Sequence, residues 1–208
     1  MLELAPHRPS FLRPLDAGLL VVGAAILGVV ILASSAFAAD AGEALTRNTV
    51  RLSLGWYFAA LLIMMRLDRG DWPATAAAGR LARWCWTWGL VCFAVHVGMA
   101  FHCYHHWSPA DAFERTRQIS GLGEGIYFSY LFAVVWAADA ATWWLAPAKY
   151  AARSRWFDRA LHAYMLFMVA NGMIVYETGP IRWAGVVMFI ILPAAWLLTR
   201  FSPRWREQ

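Results

Sequence analysis

The amino-acid sequence predicts an all-α integral membrane protein: a bundle of six transmembrane helices in one polytopic domain over 1–208. Three observations carry that expectation. The chain is 61% hydrophobic and 15% charged, with a mean hydropathy of +0.47, whereas soluble domains run at about 45–50% apolar and about 25% charged. Six apolar stretches approach the ~20 residues that a helix needs to cross ~30 Å of hydrocarbon. The basic residues alternate from loop to loop, which gives the bundle a direction.

The stretches lie at 17–39, 49–67, 84–106, 125–147, 159–177 and 182–200. Lipid offers no hydrogen-bond partner to a peptide group, so each is expected as a helix. The connections "DRGDWPATAAAG", "SPADAFERTRQISGLGEG" and "ETGP" hold the turn formers. The chain has no internal repeat. "GLGEG" follows no strand, so it is read as a loop before the fourth helix and not as a nucleotide-binding turn.

With the N-terminus inside, the inner segments hold 13 of the 18 basic residues: Arg8, Arg13, Arg66, Arg69, Arg80, Arg83, Lys149, Arg153, Arg155, Arg159, Arg200, Arg204 and Arg206. The outer segments hold Arg47, Arg51, Arg115, Arg117 and Arg182. This asymmetry places both termini in the cytoplasm and the chain in a plasma or bacterial inner membrane. It also accounts for the net charge of +5 without a nucleic acid. The expected partners are the lipid bilayer and other membrane subunits. Arg-Trp pairs at 83–84, 155–156, 182–183 and 204–205 fall at the expected interfaces, where both side chains favour the headgroup layer. A competing reading takes the first stretch as a secretory signal, with an A-x-A cleavage site at 36–38 that would leave five spans.

The chemistry concentrates in "HVGMAFHCYHHWS", which holds four of the six histidines. On a helix, His102 and His106 (i, i+4) share a face with His105 beside them, a spacing at which two imidazoles can ligate one metal. A second stripe of His96, Met99, Cys103 and His106 offers the soft ligands that suit copper. Glu177, at the outer end of the fifth span, is the expected fourth ligand. Asp111, Glu114 and Glu124 are further carboxylates on the same side. The expected cofactor is therefore a transition metal: zinc, copper or iron. The three cysteines lie in one segment and form no disulfide framework.

"HCYHH" has the form H-x-x-H-H and resembles the histidine boxes of membrane fatty-acid desaturases and hydroxylases over His102, His105 and His106 alone. That family carries several such boxes facing the cytosol to hold two irons. This chain has no second box, and its cluster is expected to face outward.

At mid-membrane, His96, Asp139 and Asn171 are expected to lie at one depth, either as an intramembrane polar site or supporting the metal-bound imidazoles. Haem takes second place: it needs two axial ligands at matching depth, and His162 misses the level of His96 by about 9 Å at the helical rise. His96 and Met168 match in depth alone. The functional expectation is a histidine-cluster metal site at the outer membrane surface, serving an oxidoreductase or hydrolase that acts on a lipid-soluble substrate. The alternative is a non-enzymatic membrane subunit or a copper- or haem-handling protein.

Overall fold

The computed structural model describes residues 14–68 and 70–201. Arg8, Arg13, Arg69, Arg204 and Arg206, which the sequence places in inner segments, lie outside the described residues. The described chain is helical, without a strand: α1 (Pro14–Phe37), α2 (Ala41–Met64), α3 (Ala77–Tyr104), α4 (Pro109–Ser120), α5 (Gly125–Leu145), α6 (Pro147–Ala152), α7 (Arg155–Ala170), a π-helical turn (Asn171–Val175) and α8 (Gly179–Phe201). Four of these helices are long and apolar enough to cross a membrane: α1, α3, α5 and α8 over Gly179–Thr199.

Their surfaces fit lipid. Leu32 on α1 is 70% exposed, Val134 on α5 64% and Leu198 on α8 74%. Water tolerates few contiguous apolar faces of this size.

The helix ends differ from the apolar stretches for local reasons. α2 begins at Ala41, ahead of the expected 49, because Asp40 caps it by accepting from the Glu43 backbone N–H at 2.9 Å. Arg47 and Glu43 then pair along its first turns at 3.0 Å. The segment read as the third connection folds as α4. Ser108 caps it, accepting from the Asp111 N–H at 3.2 Å, Pro109 takes its first turn, and Gly121 closes it at φ 80°.

α2 packs along α3, α1 covers both, α5 packs against α3, and α7 and α8 complete the far side. Polar contacts set the registers. The Trp84 indole N–H donates to Asp16 of α1 at 2.9 Å, and that of Trp88 to the Leu19 carbonyl at 3.1 Å. Gly23 permits the second contact, since a Cβ there would sit 2.0 Å from the Trp88 ring. On α2, Ser53 donates to the Gly89 carbonyl of α3 at 2.8 Å. The helices therefore present two ends. The α1–α2 and α3–α4 corners and the start of α8 form the histidine end. The α2–α3 connection and α6 form the arginine end.

Candidate functional site

At the histidine end, α3 stops at Tyr104. His102 is exposed on its last turn, His105 occupies the cap, and His106 lies beyond the helix. The i, i+4 argument for His102 and His106 therefore fails, because the chain leaves the helix between them. His106 and Trp107 both take left-handed backbone, at φ 49° and 60°. Single left-handed residues are ordinary at helix ends when they are glycine. For two successive side-chain-bearing residues the conformation costs of order 1–3 kcal/mol each, and such strain gathers at functional sites.

The turn has a definite result. The Trp107 N–H returns to the Phe101 carbonyl at 3.1 Å and that of Ser108 to the His105 carbonyl at 2.7 Å. His106 is brought to Asp111 on the first turn of α4, Nδ1 to carboxylate 3.7 Å. His105 lies edge-on to Phe101 at 5.4 Å, and no protein atom bonds its buried Nδ1. Partial burial and then the nearby Arg115 and His106 hold its imidazole below the ordinary value, against the opposing pull of Asp111. Two imidazoles and a carboxylate thus gather at the α3–α4 corner. Among the described residues, no three His, Cys, Asp or Glu side chains are placed to hold a metal.

Glu177 is half-exposed between the π-turn and α8, and among the described residues no hydrogen bond or ion pair joins it to the histidines. Asp111 is the carboxylate that approaches. The sequence held a signal for it: Ser-Pro followed by an acid marks a helix start, which turns Asp111 back toward the end of α3.

The mid-membrane group separates into three. His96 Nδ1 lies 2.8 Å from the Thr46 carbonyl of α2, in the half of α3 toward the histidine end. Asn171 donates to the Phe167 carbonyl one turn back, at 2.8 Å, where the helix widens into the π-turn. Asp139 pairs with neither. It is buried at the arginine end, where the Tyr150 hydroxyl donates to it at 3.1 Å and the Arg153 guanidinium pairs with it closely. Asp139 stands in the last two turns of α5, and the short α6 folds Tyr150 and Arg153 back onto it. The three residues expected at one depth therefore have separate partners, and His96 and Asp139 do not meet.

At the arginine end the ion pairs and rings form one linked unit. Arg153 also pairs with Asp158, its guanidinium lies 3.7 Å over the Tyr150 ring, and that ring stacks on Trp143 at 4.6 Å and 3°. Sequence reasoning missed this unit because Arg153 was counted only as a loop charge. His162 packs edge-on against Trp86 at 5.7 Å.

No protein family, curated protein or solved structure matches the chain.

Proposed function

We propose that the chain is a six-span integral membrane protein, with both termini cytoplasmic, that binds a transition metal at its outer surface. In this reading α2 and the continuous α7–π-turn segment join the four apolar helices as spans, and the histidine end faces outward. The positive-inside asymmetry supports that direction, since the arginine end carries Arg80, Arg83, Lys149, Arg153, Arg155 and Arg159. The plasma or bacterial inner membrane is the proposed location.

His105, His106 and Asp111 would have to close further to hold the metal, since no three such side chains are placed to do so among the described residues, with His102 on the adjacent turn as the remaining ligand. Nitrogen and oxygen donors of this kind suit zinc, copper or iron. The single observation that carries the reading is the successive left-handed backbone at His106 and Trp107, a strained turn that sets His106 beside Asp111. A metal bound there would supply Lewis acidity or a metal-activated oxygen species at the lipid–water boundary, where a lipid-soluble substrate could reach it. Partial burial and Arg115 disfavour the charged form of His105, and the neutral imidazole is the form that ligates.

A second reading has its own support: His96, Asn171, Asp139 and Arg153 all make bonds that fasten helices or their ends. It makes the chain a non-enzymatic membrane subunit. Metal analysis of full-length protein purified without chelator distinguishes the two. Stoichiometric zinc, copper or iron that is lost in His106→Ala and kept in Glu177→Gln supports the site. Metal-free wild-type protein favours the subunit.

A further inference from the structure

Between the two ends, four side chains with unmet hydrogen bonding meet in one cluster. Tyr57 of α2, Trp86 of α3 and Trp136 of α5 meet ring to ring, with centroids 5.5 Å (Tyr57–Trp86), 5.6 Å (Tyr57–Trp136) and 5.3 Å (Trp86–Trp136) apart. His162 of α7 joins them through Trp86. The three aromatic side chains are 0–2% exposed. No protein atom bonds the Tyr57 hydroxyl, the Trp86 and Trp136 indole nitrogens or His162 Nδ1.

A dry cluster would be costly. Each unmet buried polar group costs about 1–3 kcal/mol, so four together approach the whole 5–15 kcal/mol by which a protein is folded. Tryptophan and tyrosine find protein partners at other sites in the chain. Trp143 donates to the Trp72 carbonyl at 2.8 Å, Trp84 to Asp16 at 2.9 Å, and Tyr150 to Asp139 at 3.1 Å. Trp56 Nε1, Arg80 Nε, Arg83 Nε, His105 Nδ1, Arg153 Nη2 and Asp158 Oδ1 lack a hydrogen bond as well, so what sets these four apart is that they meet in one cluster. Three of the four can donate, the two indole N–H groups and the hydroxyl, so the matching occupant bears an oxygen acceptor. Gly89 marks the closeness of the packing, since a Cβ there would lie 2.8 Å from the Trp136 ring. Packing this close excludes a ring-sized ligand.

We propose that a narrow water-filled recess enters from the arginine end beside His162 and ends at Tyr57, Trp86 and Trp136. A buried water takes two to four polar partners, and this cluster supplies four. The entrance follows from graded exposure. The Asp158 side chain is 35% exposed, Arg153 12%, and His162 is half-buried between them and the aromatic cage. The recess brings water from one face of the protein to the middle of the helices, and nothing in the outer-site reading requires it.

The test is hydroxyl-radical footprinting of the full-length protein in nanodiscs. Bound water broken by a millisecond X-ray pulse oxidises the side chains that touch it, whatever their exposure. Oxidation of Tyr57, Trp86 and Trp136 is expected to run several-fold above that of Trp143, which is equally buried but bonded to protein. Equal oxidation of all four would overturn the proposal. A rapid mix into water labelled with oxygen-18 before the pulse tests the entrance. Labelled oxygen on Trp86 is expected, and its absence would mean sealed waters and no recess.

Discussion

His106 and Trp107 carry the local argument for a site. A side chain in left-handed backbone costs about 1–2 kcal/mol that glycine avoids. Replacing His106 by alanine or by glycine removes the same imidazole, but only glycine releases the strain. His106→Gly should therefore be about 1 kcal/mol more stable than His106→Ala by chemical unfolding, offset in part by glycine's larger entropy loss. Equal stability would show that the turn is not strained. His105 offers a second check. Partial burial and Arg115 disfavour its charged form, so its ring should titrate below the usual value of about 6.5 in a histidine-resolved NMR experiment. The sign follows from linkage: folding prefers the neutral ring, so acidification through the ordinary imidazole range withdraws stability. Titration at or above that range would contradict the geometry at the corner.

At the scale of elements, the arginine end is the strongest fastening. Asp139 is buried with Arg153 and Tyr150 as partners. Removing one partner of such a pair strands the other charge, at about 3–5 kcal/mol. Asp139→Ala should fall in that range in thermal or denaturant unfolding, and Asp139→Asn should be milder, because an amide can still accept from Arg153 and Tyr150. His96→Ala should be much gentler, near the 0.6 kcal/mol typical of one interhelical bond, since it loses its bond to the Thr46 carbonyl and a ring contact with Phe93 but strands no charge. A larger loss for His96→Ala than for Asp139→Ala would reverse the assignment of partners.

The helices themselves were largely legible in the sequence, because an apolar run of span length leaves little else to form in lipid. Their polar ends were not. Asp40, Glu43 and Arg47 extend α2 by capping and pairing, and hydropathy is blind to both. Depth along a span is less legible, since counting residues from an assumed boundary puts His96 and Asp139 level. Their partners show them displaced toward opposite ends. The histidine cluster was legible by composition, but its geometry was not. It depends on where α3 stops, and no pattern within "HCYHH" marks that stop.

For the whole molecule, the account places the histidine end outside and the arginine end inside. Reporter fusions at the C-terminus and within 111–120 should report the cytoplasm and the exterior, respectively. An exterior C-terminus would reverse the topology. The most direct test of the central claim joins the metal to its side of the membrane. Sealed vesicles of each orientation, holding the metal-loaded full-length protein, are treated with a chelator that cannot cross the bilayer, and the retained metal is measured. The account predicts loss of metal from right-side-out vesicles and retention in inverted ones, with no metal in either for His106→Ala. Metal stripped only from inverted vesicles, or none bound at the start, would contradict it.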